Sequence, residues 1–320
     1  MFPAGRKEVY SMTSSTESSV ETIIIAATSS ISPVGLAGVG TMGRCMLDHL
    51  QKAGFKVAAF DPSPSAQDYV KTQGAILLTS PAELAERTKL IILSLPAAKQ
   101  VLDTVNALLG KLTPEHIIVD TSTVSPETSR EGARLVAVRG ARYVDAPILG
   151  RPSAAGKWLL PSGGPADALE EARPALETFA RAAVWVGDTG TGNAFKLLNQ
   201  LMFSVINGIS AEVMALADVL GVDLKMFYDV VANSGAATVS GLFKETAGRI
   251  VDEHYDDPTF TIELLCKDAG LSIQMAMNAG VSPIISNYVQ SINETAKESG
   301  LAKLDTSSLY KVFRDSFTNK

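Results

Sequence analysis

Two short stretches of this 320-residue chain combine residue types and spacing suited to chemistry. In "GLAGVGTMG" (35–43), Gly38, Gly40 and Gly43 stand in a G-x-G-x-x-G spacing, after an apolar run and before a helical pattern. Gly38 permits a tight turn, Gly40 lets the backbone approach a pyrophosphate, and Gly43 lets helix and sheet pack closely. Val39, Thr41 and Met42 complete the loop, and the helix N-terminus offers unpaired N–H groups to a diphosphate. Asp61 ends the next apolar run, at the distance expected of a carboxylate that binds a ribose 2′-hydroxyl, although it also begins a "DPSP" turn. A carboxylate there repels a 2′-phosphate, and "PSPS" after it supplies no arginine. NAD is therefore expected in preference to NADP, with NADP as the alternative.

The second stretch is "GTGNAFKLLNQ" (190–200), where Lys196 and Asn199 lie three residues apart on one helical face. An exposed lysine in a first turn is a solvated charge set against the helix dipole. A lysine held in a cleft would instead have its pKa lowered into a range useful for proton transfer. Spacing alone leaves both readings open.

The elements that must position these residues follow from periodicity. Strands are expected at "PVGLAG", 56–61, 75–78, 90–95, 116–120 and 142–147, with helices near 41–53, 65–73, 98–109 and 126–139. A helix at 167–180 and a strand "AAVWVG" precede a helix of roughly 25 residues that is apolar on most of its surface. The fold class is α/β: a doubly wound Rossmann-type sheet, then an all-helical C-terminal domain joined by a long interdomain helix. The expected division is a poorly ordered extension (1–32), a dinucleotide-binding domain (33–192) and a helical substrate or dimerisation domain (193–320). Such an apolar helix is buried either within its own helical domain or by a second subunit, and a homodimer or higher oligomer is expected.

Composition narrows the partners. A net charge of −6 and a pI near 5.2 argue against nucleic acid, which needs a basic face. Cys45, Cys266, His49, His116 and His254 are scattered and fit no metal-ligand spacing, so no metal site is expected. The uncharged run from Thr22 to Gly43 is interrupted by Pro33, serines and glycines, which argues against a membrane anchor. Arg6 and Lys7 are outnumbered by Glu8, Glu17 and Glu21, unlike a mitochondrial leader, so a cytoplasmic location is expected ahead of a mitochondrial one.

Taken in order, the motifs resemble those of the β-hydroxyacid dehydrogenase family, whose members include 3-hydroxyisobutyrate dehydrogenase and carry a 6-phosphogluconate dehydrogenase-type cofactor domain. The similar segments are "GLAGVGTMG", "SLP" (94–96), "DTSTVSP" (120–126), "DAPILG" (145–150), "GTGNAFKLLNQ", "LLCKDAGLSIQMA" (264–276) and "GLAKLDTSSL" (300–309). The resemblance covers the chain from about Val34 onward. It implies hydride transfer between nicotinamide and a small β-hydroxy acid or its semialdehyde, with Lys196 as general acid/base. It makes Asn199 and Ser122 substrate ligands, sets Leu95, Pro96 and Thr123 against the nicotinamide half, and sends Lys267 across the cleft toward the cofactor. Asp268 is implied as a structural partner.

The pocket segment departs from the family pattern. Gly150 and the "SGG" of 162–164 remain, but a serine has become Leu149, a glycine has become Arg151, and the run to Gly156 is about two residues short. Leu149 is expected to make the substrate wall apolar. Arg151 either replaces the lost donor as a cation for a substrate carboxylate or points to solvent. Two other functions stay open: an imine reductase, although those relatives generally replace the catalytic lysine, and an inactive cofactor-binding module.

Overall fold

A computed structural model describes residues 32–235 and 240–318. The expected extension over 1–32 lies outside the described residues, Ser32 excepted. The first half alternates strand and helix: β1 (Val34–Ala37), α1 (Thr41–Lys52), β2 (Val57–Phe60), α2 (Pro64–Thr72), β3 (Ile76–Leu77), α3 (Ala82–Arg87), β4 (Leu90–Leu93) and α4 (Ala98–Leu108). It continues through β5 (Ile117–Asp120), α5 (Pro126–Ala137), β6 (Arg142–Asp145), β7 (Trp158–Gly163), α6 (Ala166–Phe179) and β8 (Ala180–Gly187).

These form one eight-stranded sheet in the order β3-β2-β1-β4-β5-β6-β7-β8. Neighbouring strands run parallel except β6 and β7, which meet antiparallel at Asp145 and Gly163. The central strands "VGLA", "LIIL" and "IIVD" are buried throughout, as strands covered on both faces must be. Alternate residues feed two cores. Leu36, Ile92 and Val119 pack with Met46 and Leu50 of α1 and Leu169 and Leu176 of α6. Ile91, Leu93 and Ile118 pack on the other face with Val101, Val105 and Leu108 of α4 and Val136 of α5. The strand order reverses between β1 and β4, where doubly wound sheets open a crevice at their carboxyl ends.

Two elements escape the sequence reading. β7 contains Pro161 and runs into "SGG", which reads as a loop; Pro161 is accommodated next to the last strand of the sheet. The six-residue α3 is too short to show a period.

The second half is helical: α7 (Thr191–Val219), α8 (Leu224–Asn233), α9 (Gly241–Val251), α10 (Ile262–Asn278), α11 (Ile284–Ala296) and α12 (Leu309–Thr318). Its core joins Ala211, Met214 and Ala215 of α7 to Phe243, Ala247 and Ile250 of α9, Leu265 of α10 and Phe313 of α12. Among the described residues, α7 is the one helix long and apolar enough to cross a membrane by length and composition. Its buried polar side chains are matched within the protein. Asn207 donates to the Thr306 carbonyl at 3.0 Å and accepts from Thr246 at 2.9 Å.

The start of α7 is tied to the sheet. The carboxylate of Asp145, the last residue of β6, accepts the N–H groups of Gly190 (2.6 Å) and Asn193 (2.8 Å). A β-carbon on Gly192 would stand 2.5 Å from the carbonyl oxygens of Asp145 and Pro161, so only glycine fits. Asn193 accepts from the Val124 N–H at 3.1 Å and donates to Ser129 at 3.0 Å, which registers α7 against the loop after β5.

Candidate active site

A cleft of about 1050 Å³ runs between the carboxyl ends of the strands and the helical half. At one end lies the glycine turn. Gly38 has φ +94°, and a β-carbon there would stand 2.2 Å from the Ser94 carbonyl oxygen. One on Gly43 would stand 2.1 Å from the Gly38 carbonyl oxygen, whereas one on Gly40 would meet nothing within 4 Å. The open space is therefore at Gly40, where α1 begins with no side chain capping its first N–H groups. Gly38, Gly40, Thr41 and Met42 line the cleft; Val39 and Gly43 sit behind them. This is a cradle that a dinucleotide diphosphate fits, with donors and free space in the same place.

Asp61 also lines the cleft. Its two oxygens accept the N–H groups of Val39 at 2.7 Å and Ser63 at 2.8 Å, so it braces the glycine turn from β2. Arg44 was not singled out by the sequence reading, because it lies outside the "PSPS" segment searched for a cation. It bridges the carbonyls of Val39 and Ser65, both at 3.3 Å, and lies 4.7 Å from the Tyr69 ring centre. The fold thus ties a guanidinium from one turn into α1 to the carbonyl of Val39, the residue whose N–H Asp61 holds.

In the middle of the cleft, Ser122 is fixed by its neighbours. Its N–H donates to buried Asp120 at 2.9 Å, its hydroxyl also hydrogen-bonds that carboxylate, and the hydroxyl oxygen accepts the Leu95 N–H at 3.0 Å. Tyr143 also donates to Asp120 at 2.7 Å. Burial pushes the Asp120 carboxyl up against the hydrogen bonds that favour its charge. Leu95, Pro96, Ser122 and Thr123 all line this part.

Lys267 reaches across from α10. Its ammonium donates to the carbonyls of Thr123 (3.1 Å) and Pro96 (3.2 Å) and lies 3.0 Å from Asp268. Asp268 is buried and accepts from Gln200 at 2.7 Å. Gln200 is a further residue the sequence reading passed over: it follows Asn199 on the cleft side of α7, and its partner lies 68 residues away.

Lys196 and Asn199 are half-buried on the same wall. Lys196 makes no hydrogen bond or ion pair among the described residues. Burial lowers its pKa, Asp268 partly restores it, and the Lys267 charge lowers it further. A lysine so placed exchanges its proton more readily than one in water.

The pocket segment differs from expectation at two positions. Leu149 does not line the cleft. Its N–H and carbonyl pair with Leu159 at 2.9 and 3.2 Å, and this extended pairing turns Ile148 toward the cleft and Leu149 away from it. Arg151 takes neither course expected of it. It lines the cleft, but its guanidinium is paired with Glu245 of α9, donates to Thr259 at 2.5 Å and lies 5.4 Å from the Phe203 ring centre. Trp158 sets the loop by donating to the Arg151 carbonyl at 2.7 Å and packing on Gly150, where a β-carbon would stand 2.2 Å from the indole. No group of three or more His, Cys, Asp or Glu residues suited to a metal occurs among the described residues.

Comparison with known proteins accords with this geometry. Residues 33–187 match the NAD binding domain of 6-phosphogluconate dehydrogenase. Residues 190–313 match the NAD-binding domain of NADP-dependent 3-hydroxyisobutyrate dehydrogenase. Mouse mitochondrial 3-hydroxyisobutyrate dehydrogenase is 29% identical over 292 residues, covering 88% of this chain and 87% of that protein. The crystal structure of 3-hydroxyisobutyrate dehydrogenase from Salmonella typhimurium superposes with a TM-score of 0.81 at 27% identity, covering 88% and 99% of the two chains. An imine reductase from Pseudomonas sp. shares the fold, with a TM-score of 0.58 at 23% identity over 87% and 98% of the chains.

Proposed function

The chain belongs to the β-hydroxyacid dehydrogenase family, with NAD(P) as cofactor, and on that premise we propose that Lys196 is its general acid/base and that its substrate is a small β-hydroxy acid or the corresponding semialdehyde. The observation that carries this reading is the setting of Lys196: half-buried, unpaired, and in one cleft with Ser122, Asn199 and the glycine turn. The bound nicotinamide supplies or accepts the hydride. In the reducing direction the Lys196 ammonium gives its proton to the oxygen of the substrate carbonyl, and its charge stabilises the growing alkoxide. In the oxidising direction the neutral amine takes the hydroxyl proton. Ser122 helps to bind the substrate carboxylate, Asn199 orients the substrate, and Leu95, Pro96 and Thr123 bound the nicotinamide side. Lys267 holds the two halves at a fixed separation through its carbonyl partners.

We assign Asp61 to the adenosine ribose, which favours NAD, with NADP as the alternative. Retention of an unpaired lysine speaks for hydroxyl chemistry over imine reduction and over an inactive module. We also assign the apolar outer face of α7 and α11 to a second copy of this chain. Phe195, Leu198, Met202, Ile209 and Leu216 are 46–60% exposed, and Ile284, Ile285 and Tyr288 more so. The deciding experiment is Lys196→Ala. Turnover should fall by about 10²-fold or more while NADH affinity, read by fluorescence titration, is retained. Near-normal turnover would remove Lys196 from the mechanism.

A further inference from the structure

The substrate end of the cleft carries a second message in its charges. Arg151 and Glu245 belong to a larger group: the Thr259 hydroxyl lies within hydrogen-bonding distance of Glu245 (3.1 Å), the Thr259 N–H donates to Asp305 (3.1 Å), and Arg249 lies 3.8 Å from Asp305. The four charged side chains are between 3% and 29% exposed. Two cations face two anions, so the group is neutral and closed. Nearer the glycine turn, Lys196 and Lys267 face Asp268 alone. The protein therefore presents one uncompensated positive charge to a substrate when Lys196 is an ammonium and none when it is an amine, and neither state matches two carboxylates.

The rest of that end is mainly apolar, and its two threonine hydroxyls are engaged, Thr259 by Arg151 and Thr261 by the Leu264 N–H. Phe203 stands on the Lys196–Asn199 face of α7, about 10 Å further along the helix axis and away from the glycine turn. Its ring meets Phe260 edge to face at a centroid distance of 5.4 Å. Ile148, Pro152, Pro258 and Leu264 line the same end. Polar groups of a substrate placed here would lose water and gain little in return, a cost of about the same size as a missing methylene in an apolar pocket.

We propose that this site selects monocarboxylic β-hydroxy acids whose substituent is apolar and larger than hydrogen, and that Arg151 sets the selection by being neutralised against Glu245 rather than by binding substrate. The inference rests on the proposed dehydrogenase reading and adds the substrate class. Phe203 and Phe260 receive the substituent, and the closed group of charges denies a second carboxylate its counter-ion.

The test uses 3-hydroxypropanoates bearing methyl, isobutyl, hydroxymethyl or carboxymethyl at C2, with NAD, read as ratios of kcat/KM within each protein. The wild type should favour isobutyl over hydroxymethyl by about tenfold or more, the scale of one to three kcal/mol for apolar discrimination. Glu245→Gln, which frees the Arg151 charge, should narrow the isobutyl-to-carboxymethyl ratio at least tenfold. Arg151→Gln, which leaves Glu245 unpaired, should widen it. A wild type that prefers the carboxymethyl compound overturns the proposal, as do two variants that move all four substrates together. Binding of unreactive 4-methylpentanoate against succinate, followed by quenching of bound NADH, separates the two readings. Selective 4-methylpentanoate binding without oxidation of any hydroxy acid defeats the dehydrogenase assignment and upholds the selection. Oxidation with the carboxymethyl compound preferred does the reverse.

Discussion

The glycine turn offers a test in which two glycines three residues apart should respond in opposite ways. Gly40 has φ −73°, a conformation open to any residue, and a β-carbon there meets nothing within 4 Å. Gly40→Ala should therefore leave the fold intact or raise its stability by about 0.4–1 kcal/mol through the unfolded chain. The added methyl occupies the space assigned to the diphosphate. Overpacking of about 1–3 kcal/mol translates into roughly 5- to 150-fold weaker NADH binding. At Gly43 the β-carbon would stand 2.1 Å from the Gly38 carbonyl oxygen, a backbone atom that moves only with the turn itself. Alanine gains about 1 kcal/mol of helix propensity there but loses more to the clash, a net loss on the order of 1–2 kcal/mol. Thermal melting of the protein without cofactor, paired with NADH titration, reads both quantities. At about 2–4 °C per kcal/mol, Gly43→Ala should melt roughly 2–8 °C low, and Gly40→Ala no lower than the wild type. Unimpaired NADH binding by Gly40→Ala would refute the diphosphate assignment. A fully stable Gly43→Ala would refute the packing argument.

Other expectations follow from single groups. Because burial and Lys267 lower the Lys196 pKa, kcat/KM for oxidation should rise with pH through a midpoint below 10.5 and that for reduction should fall through it; a midpoint at or above 10.5 would contradict the desolvated setting. Asp61→Ala should weaken NAD more than NADP, shifting the ratio of dissociation constants toward NADP by about tenfold, and an equal loss for both would end the ribose role. Burial raises the Asp145 carboxyl to about 7, above its value of about 3.9 in an unfolded chain. The folded state then holds the proton longer, so this group's contribution to stability declines as pH rises from about 4 to about 7. Asp145→Asn should flatten that slope in Tm against pH, and an unchanged slope would put its origin elsewhere.

What the sequence makes legible and what it hides divide by distance along the chain. The turn at 38–43 and its partner at Asp61 are readable because one strand–helix–strand unit fixes their spacing, and Lys196 with Asn199 because helical periodicity does. The fate of Arg151 is set by Glu245, 94 residues away, and that of Lys267 by carbonyls 171 and 144 residues away. Neither spacing nor composition encodes such meetings. Leu149 was misplaced for a local reason: the Leu149–Leu159 pairing fixes which side chain faces the cleft, and β7, which supplies it, is masked by Pro161 and the glycines after it.

The anchoring of α7 on Asp145 makes that helix a lever with its fulcrum at the sheet. Lys196 sits five residues from the helix start, about 7.5 Å along the axis, and Phe203 about 18 Å. A tilt of about 10° would move the first by roughly 1.3 Å and the second by roughly 3 Å. Such a tilt would shift Lys196 less than half as far as Phe203, the neighbour of Arg151, so the two ends of one rigid arm would differ in how far they yield.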